Sequence, residues 1–322
     1  MEEYLKMSDK YQTIPAGYNQ RFQYPITGKI KNSEIAKMIN RGDLDKVDVL
    51  IAEFLYDVKF ASYNQILRFL SSCIKQERIQ VSDARRNIIK LMRSRIINRF
   101  YLSTEEQSKY SYLEYPKDAM SIYCLDIGGK YLLDSFSDRN GFDWNLDEVV
   151  KGSDKVAKSI VATEFYVSLN ENLGGKLNYF KALTPFRIPQ GNFRNTFSFS
   201  LRIDDKNRYF IGQIIRKEET LSEVRDNLLK YESLLTTNSY KKYYNDSESE
   251  PILFMISDDI GFLHQLAKEI SEITKITKIR YSTEEIITTK ELDEEGVFFE
   301  YVKETDKLEP RATVIFNKET KI

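Results

Sequence analysis

Residues 82–99 of the chain read SDARRNIIKLMRSRIINR. At about 100° per residue, this stretch predicts an amphipathic helix with apolar and basic side chains on opposite faces. The apolar face consists of Ala84, Ile88, Leu91, Met92 and Ile96. The basic face consists of Arg86, Lys90 and Arg93, with Arg85 at its flank. Ser82 stands at the position of an N-cap, and Asp83 in the first turn is the only acid of the stretch.

The basic side chains of this helix predict a surface for phosphate groups. The Arg and Lys residues of the stretch are Arg85, Arg86, Lys90, Arg93, Arg95 and Arg99. A helix that only packs against a core does not need such an excess of basic over acidic side chains. Beside phosphate groups, Arg and Lys release condensed counterions, which favours binding. The simpler alternative is a solvated helix face, which is the usual origin of charge on a helix surface. The flanking segments decide between these two interpretations.

Two predicted helices precede the basic helix, and two predicted strands follow it. Residues 46–58 and 62–75 carry apolar side chains at helical spacing. Residues 99–102 and 122–125 are predicted strands, and the polar stretch around 103–111 is the predicted wing between them. The order helix, helix, basic helix and two-stranded wing is typical of winged helix-turn-helix domains, whose third helix enters the DNA major groove.

This interpretation assigns DNA contacts to individual side chains. Arg86, Lys90 and Arg93 are expected at base edges in the major groove, with Ser82 and Arg85 near phosphates. A lysine in the wing, although it has two acidic neighbours, is a further candidate for a phosphate contact. The predicted DNA-binding residues are Ser82, Arg85, Arg86, Lys90, Arg93, Arg95 and, in the wing, Lys109.

The length of 322 residues predicts more than one domain, because a single core rarely organises a chain of that size. The predicted parts are an N-terminal arm with a short helix (1–45), a winged-helix domain (46–136), a linker (137–152) and an α/β domain (153–322). The arm is interpreted as extended and disordered, or alternatively as packing across a partner subunit. Trp144 is expected to dock the linker onto one domain. The net charge of −1 means that any DNA-binding surface must be local.

The second half of the chain predicts a mixed sheet flanked by helices. Its predicted order of helices and strands is α-β-β-β-α-β-α, which is the core topology of restriction-endonuclease-like nucleases. The clearest strand is 195–203, where Phe197 and Phe199 alternate with Ser198 and Ser200. The predicted fold class is therefore α/β (α+β), with a winged helix-turn-helix domain followed by a mixed-sheet domain of nuclease-like topology.

A nuclease of that topology needs a carboxylate near the start of its second core strand and a Glu-x-Lys-like pair on the third, which together hold Mg²⁺. The second strand instead offers Asn195, Thr196 and Ser198, and the third has Gln213 at the position of the acid. An amide carries no charge and is a poor ligand for a hard cation. We therefore predict no catalytic residue, no metal site and no cofactor. The rival interpretation is a Mg²⁺-dependent nuclease or nickase with a displaced carboxylate, which would be Asp204, Glu218 or Glu164.

Two further sequence features have competing interpretations. The lone histidine, His264, lies in an apolar helix context and is interpreted as structural. Residues 240–244, with the sequence YKKYY, alternate aromatic and basic side chains, as in surfaces that stack single-stranded bases. Because this segment lies in a loop beside acidic residues, a solvated loop is the preferred interpretation.

The chain resembles the replication-relaxation family of bacterial plasmids and mobile elements over about residues 46–290. The resemblance is carried by Ile96-Ile97-Asn98-Arg99, by the stretch 123–133 with the sequence YCLDIGGKYLL, and by Leu228-Leu229-Lys230-Tyr231. It implies a winged-helix domain joined to a nuclease-like domain, and a role in plasmid replication or in DNA relaxation for transfer. Where acidic residues often stand in that family, this sequence has Gln213-Ile214-Ile215.

The sequence therefore predicts a sequence-selective double-stranded DNA-binding protein of a plasmid or mobile element, acting in replication, transfer or transcription control. A homodimer is expected, with a replication or transfer protein as a further partner. Two isolated cysteines and no long apolar run predict a cytoplasmic protein without a membrane partner. The alternatives are the displaced-site nuclease and a protein-interaction adaptor whose basic helix binds an acidic partner.

Overall fold

The structure is a computed structural model that describes residues 4–6, 14, 17–26, 30–77, 84–104, 115–137, 139, 144–150, 153–203, 205–244, 246–247, 249–311 and 316. The chain divides into two compact units, Met1–Thr163 and Glu164–Ile322. Both units combine helices with β-sheet, so the predicted mixed α/β class is confirmed. No helix within the described ranges is long and apolar enough to cross a membrane.

The described residues of the first unit form several helices and a small sheet. Its elements are β1 (Asn19–Phe22), α1 (Asn32–Asn40), α2 (Lys46–Val58), β2 (Phe60–Ser62), α3 (Tyr63–Glu77), α4 (Ala84–Arg93), β3 (Ile97–Ser103), β4 (Ile122–Leu125), α5 (Ile127–Phe136) and the short α6 (Leu146–Val149). The four strands form an antiparallel sheet in the order β1-β3-β4-β2. Strands β3 and β4 are therefore a hairpin, and β2, which precedes α3, closes the sheet beside β4.

The N-terminal arm contributes to the core of the first unit, which corrects its interpretation as a disordered or partner-bound segment. Strand β1 pairs with β3, and Phe22 lies opposite Phe100 with ring centroids 5.1 Å apart. Leu5, Ile14 and Ile26 are also buried in this core. The sequence did not predict this strand because Pro15, Gly17 and Pro25 interrupt the arm and the pairing partner lies about 80 residues further along the chain.

The predicted linker also packs on the first unit over its described residues. Trp144 Nε1 donates a hydrogen bond to the carbonyl oxygen of Leu125 at 3.2 Å, and Val149 is buried in the same core as β1. The expected docking of Trp144 is confirmed. The long helix α7 (Ser153–Leu173) then spans the limit between the two units.

The basic helix is shorter than the sequence pattern predicts. It ends at Arg93, and Ile97 already belongs to β3. The N–H of Ile96 donates to the carbonyl of Leu91 and the N–H of Arg95 to that of Met92, at 2.9 and 3.0 Å. These two bonds are the Schellman arrangement of a helix C-terminus, which requires a left-handed residue, and Arg95 has φ of +57°. Glycine usually marks this position, so an arginine there gave no stop signal in the sequence.

The second unit is built around a larger sheet. Its elements after α7 are β5 (Leu177–Ala182), β6 (Pro185–Ile188), β7 (Gly191–Arg194), β8 (Phe197–Ile203), β9 (Lys206–Ile215), α8 (Leu221–Thr236), a 3-10 helix (Ser239–Lys242), β10 (Ile252–Ser257), α9 (Ile260–Ile273), β11 (Ile279–Thr283), α10 (Glu284–Thr289), β12 (Phe299–Val302) and β13 (Lys307–Pro310). The seven-stranded sheet has the order β13-β12-β11-β10-β9-β8-β5, and β6 pairs only with β7. Strands β9, β10 and β11 are parallel, and the other pairs are antiparallel.

Both faces of this sheet are covered. Helices α8 and α9 pack on one face, where their apolar side chains join those of β9, β10 and β11. On the other face, Phe165 of α7 packs against Phe197 and Phe199 of β8, with ring centroids 5.2 and 5.5 Å apart. Ser198 and Ser200 of β8 are therefore also fully buried. The alternating pattern identified the strand correctly but does not mark a solvent-exposed face.

Candidate nucleic-acid interface

Helix α4 is the most basic described helix of the first unit, and its apolar face anchors it to the core. Ala84, Ile88, Leu91 and Met92 are buried, as the helical spacing predicted. Their burial removes one side of α4 from solvent and fixes which residues point outward. The orientation of the helix about its axis then depends on the polar contacts at its two edges.

A partly buried polar cluster ties one edge of α4 to the start of α2; Asp48 and Asn87 are buried in it, whereas Asp45 is exposed. Asp45 caps α2 and exchanges hydrogen bonds with Asp48, forming a reciprocal capping box. Asn87 Nδ2 donates to both carboxylate oxygens of Asp45 at 3.0 Å and to Asp48 Oδ1 at 2.8 Å. Lys90 Nζ binds Asp48 and lies 3.3 Å from Asp45 Oδ2. Asn87 and Lys90, three residues apart, therefore hold one edge of the helix.

The charges of this cluster are set by burial and by mutual contact. Burial raises the pKa of Asp48 above its ordinary value, and the hydrogen bond from Lys90 only partly opposes that rise. Burial also acts to raise the pKa of Asp45, but hydrogen bonds from the Asp48 N–H, Asn87 and Lys90 outweigh it, so that pKa is lowered. The two carboxylates in turn raise the pKa of Lys90 against the opposing effect of burial. Lys90 is thus a permanently charged partner of α2.

A second ion pair fixes the C-terminal end of α4. Arg95 Nε donates to Asp126 Oδ2 at 2.8 Å, and Asp126 is fully buried. The same carboxylate accepts from Asn98 Nδ2 at 3.1 Å and from the N–H of Ile127 at 2.7 Å, so it also caps α5. Burial raises the pKa of Asp126, with Arg95 acting in the opposite direction. The guanidinium also donates to the carbonyl of Pro25.

The two glycines after Asp126 allow α5 to approach this corner closely. A Cβ atom at Gly128 would lie 2.6 Å from the carbonyl oxygen of Arg95, and one at Gly129 would lie 2.6 Å from that of Ile96. Both positions therefore need glycine for reasons of backbone packing. The Asp-Ile-Gly-Gly motif is explained by the junction of α4, β3 and α5, without a bound ligand.

The outward face of α4 carries three arginines around one apolar residue. Arg85, Arg86 and Arg93 are exposed, and Ile89 between them is 37% exposed. Among the residues that the structure describes, none pairs with the side chain of Arg85, Arg86 or Arg93. An ion pair with a carboxylate stabilises an exposed arginine only slightly. On this face, no described carboxylate forms even such a weak ion pair. The face is a strip of positive charge with an apolar centre.

The structure divides the predicted DNA-contacting residues into two groups. Arg85, Arg86 and Arg93 lie together on the exposed face. Lys90 and Arg95 are ion-paired with carboxylates of their own unit and keep 30% and 18% of their side-chain surface exposed, so their DNA contacts stay predictions. Ser82 and Lys109 lie outside the described residues. The sequence analysis assigned Ile89 to neither face of the helix, and the structure places it among the exposed arginines.

The positions expected for a nuclease site hold other side chains. Gln213 is buried, and its Oε1 accepts a hydrogen bond from Tyr231 at 2.6 Å. Of the rival carboxylates, Glu164 is buried on α7, Glu218 is exposed after β9, and Asp204 lies outside the described residues. Within the described part of the chain, no three His, Cys, Asp or Glu side chains are grouped to hold a metal ion.

A buried charged cluster lies at the carboxyl ends of the three parallel strands. Arg216 follows β9, Asp258 follows β10 and Glu284 follows β11. Arg216 Nη1 lies 2.8 Å from Glu284 Oε1 and 4.0 Å from Asp258 Oδ2. Burial raises the pKa of Glu284 to about 7, against the opposing effect of Arg216. This cluster links the ends of the three strands. Within it, Glu284 has the most strongly raised carboxyl pKa among the described residues of the second unit.

Comparison of the chain with known protein families, with curated proteins and with solved structures found no match.

Proposed function

We propose that the first unit is a winged helix-turn-helix domain that binds double-stranded DNA through α4. The proposal is supported by the order of its elements, in which α2, β2, α3 and α4 are followed by the hairpin of β3 and β4. In winged helix-turn-helix domains, the helix at the position of α4 lies in the major groove and the hairpin forms the wing. The sequence-based interpretation of residues 46–125 agrees with this arrangement.

The observation that carries the proposal is the exposed arginine face of α4, whose three guanidinium groups pair with no residue in the described part of the chain. Arg85, Arg86 and Arg93 project on one side, while Asn87 and Lys90 hold the opposite edge against α2. Guanidinium groups bind guanine and phosphate through two parallel hydrogen bonds, which suits a helix laid in a groove. Ile89 at the centre offers an apolar contact for a thymine methyl group. We therefore assign Arg86 and Arg93 to base edges and Arg85 to a phosphate.

We propose that the second unit is a restriction-endonuclease-like domain that does not cleave DNA. Its order α7, β5, β8, β9, α8 and β10, with β9 and β10 parallel, supports the topology. The amide of Gln213 and its bond to Tyr231 occupy the place where a metal-binding carboxylate would be needed. The biological role that fits these proposals is control of replication, transfer or transcription of a plasmid or mobile element. A homodimer would place two α4 helices on successive turns of the duplex.

The proposal is tested by a gel-shift titration against tiled fragments of the genetic element that encodes the protein, with competitor DNA present. A shifted fragment is then used to compare the wild type with the double variant Arg86→Ala/Arg93→Ala. We expect the double variant to lose specific binding, because each well-placed bidentate contact contributes about 1–3 kcal/mol of discrimination. Its unfolding free energy should stay within about 0.5 kcal/mol of wild type, since both side chains are exposed.

The matched control is Lys275→Ala/Lys278→Ala, which removes two exposed positive charges from the second unit. It should bind the shifted fragment as wild type does. Unchanged affinity in the Arg86/Arg93 variant would refute the proposal. Heparin competing as well as the specific duplex would favour the adaptor alternative, and nicking of supercoiled plasmid in Mg²⁺ but not in EDTA would favour the nuclease.

A further inference from the structure

The second unit carries a basic and aromatic surface that is separate from the arginine face of α4. It is formed by the hairpin of β6 and β7 and by the 3-10 helix at 239–242 with Tyr243. Residues 172–203, which include this hairpin, contain five Lys or Arg residues and no Asp or Glu. This stretch is therefore locally positive, although the chain as a whole has a net charge of −1.

The hairpin presents its cations on one face. Phe186 and Phe193 pair across the hairpin and are buried, with ring centroids 5.5 Å apart. The alternate positions Arg187 and Arg194 are exposed on the other face. Arg187 lies opposite Asn192, so the outer face is polar and positively charged and carries no carboxylate.

The neighbouring 3-10 helix adds two lysines and an exposed aromatic ring. Lys241 and Lys242 are exposed, and Tyr243 is 38% exposed. The tyrosine ring is held in place, because its hydroxyl accepts the N–H of Arg187 at 2.6 Å and its edge packs on Phe186 with centroids 5.0 Å apart. No described carboxylate pairs with the side chains of Arg187, Lys241 or Lys242.

One of the acidic residues that follow this segment, Asp246, is directed toward β9. Asp246 accepts hydrogen bonds from Asn207 and Tyr209 of β9. Tyr244 stacks on the ring of Tyr209, with centroids 4.2 Å apart, and is buried. Of the three tyrosines in YKKYY, only Tyr243 offers a ring to solvent, and it does so beside the two lysines.

We propose that this surface binds single-stranded DNA, with phosphates on Arg187, Lys241 and Lys242 and a base stacked on Tyr243. A fixed aromatic ring among cations is the arrangement that binds single strands, since every unpaired base has a face to stack. A duplex keeps its base faces covered and would use only the charges. Binding of a single strand at this surface does not depend on recognition of a duplex by α4.

The test measures binding of the full-length protein to fluorescein-labelled oligothymidine and to a random-sequence duplex by fluorescence anisotropy. We expect the triple variant Arg187→Ala/Lys241→Ala/Lys242→Ala to bind oligothymidine about 100-fold more weakly at about 0.1 M salt, with a log–log salt slope smaller by about 2. Tyr243→Ala should weaken binding roughly five- to hundredfold, while Tyr243→Phe should retain it, because stacking needs the ring and not the hydroxyl.

Two controls separate this proposal from the function of α4. Lys275→Ala/Lys278→Ala/Lys307→Ala removes three exposed charges elsewhere in the second unit and should bind oligothymidine like wild type. Arg86→Ala/Arg93→Ala should also keep oligothymidine binding, whatever its effect on the duplex. Equal losses in the two triple variants or no loss in Tyr243→Ala would each overturn the proposal. Preference of the Arg86→Ala/Arg93→Ala variant for the duplex over oligothymidine would overturn it as well.

Discussion

Replacing Arg95 by alanine tests whether this residue holds the corner of α4 or contacts DNA. Its guanidinium binds the fully buried carboxylate of Asp126 at 2.8 Å and the carbonyl of Pro25. The substitution removes the only cation at that carboxylate among the described residues, leaving the hydrogen bonds from Asn98 and the Ile127 N–H. The fold should therefore lose stability, while the exposed face of α4 keeps its side chains.

The expected loss follows from the burial of Asp126. Removing one partner of a buried ion pair costs about 3–5 kcal/mol. The carboxyl that has lost its partner can instead become protonated in the folded protein. For a carboxyl with an ordinary pKa of 3.8, protonation costs about 4 kcal/mol at pH 7 and about 2 kcal/mol at pH 5. We therefore expect Arg95→Ala to lower the free energy of unfolding by about 3–4 kcal/mol at pH 7 and by no more than about 2 kcal/mol at pH 5.

The sign of this pH dependence follows from the raised pKa. Because burial raises the pKa of Asp126 in the folded state, the fold binds this proton more tightly than the unfolded chain does. The stability contributed by Asp126 is present at low pH and is lost as pH rises through the folded pKa. Removing Arg95 raises that pKa further, so the variant should lose stability more steeply than wild type above pH 4.

The assay is urea unfolding at pH 5 and pH 7 for Arg95→Ala and two companions. Arg95→Gly should be about 1 kcal/mol more stable than Arg95→Ala, because glycine accepts the φ of +57° at this position without strain. Arg95→Ala/Asp126→Asn should be more stable than Arg95→Ala at pH 7, since no buried charge remains. Duplex affinity of the folded Arg95→Ala protein should be unchanged. A free energy of unfolding of Arg95→Ala within about 0.5 kcal/mol of wild type would refute this reasoning. So would a weaker and less salt-dependent binding of the duplex by the folded variant.

Two further predictions concern the second unit. Burial raises the pKa of Glu284 from 4.5 to about 7, so the fold should lose about 3 kcal/mol of stability from this group as pH rises from 4.5 to 7. Glu284→Gln should remove that part of the pH dependence in urea unfolding, and parallel curves for variant and wild type would contradict the assignment. Gly212→Ala should destabilise the fold by about 3 kcal/mol, because the new Cβ would lie 2.0 Å from the ring of Phe197. Gly175→Ala, where nothing lies within 4 Å, is the control and should have little effect on the melting temperature.

The regular elements of the first unit followed closely from local sequence patterns. Helix α2 spans 46–58 and β4 spans 122–125, as their apolar spacing and composition predicted. The elements that the sequence reading missed have weak local signals. Strand β1 and the hairpin at 185–194 are short, and both depend on partners that tertiary packing provides. Helix α10 at 284–289 also has a weak local signal, because its isoleucines and threonines favour a strand.

The candidate interface could be predicted only in part. Helical spacing identified α4 and its basic side, because the period of 3.6 residues separates buried from exposed positions within one helix. It could not assign partners to individual cations. Lys90 stands within the basic face by spacing, yet the α2 carboxylates bind it, and nothing in its own segment indicates that contact.

The sequence by itself determined the mixed α/β class, the position of the basic helix and the replacement of the expected nuclease acid by Gln213. These features depend on residue type and local periodicity, which are present in the chain before it folds. The tertiary structure alone decided which arginines of α4 are available to a ligand and which side chains surround Tyr243. Those properties depend on contacts between distant segments, such as Arg95 with Asp126 and Tyr243 with Arg187, which no local pattern encodes.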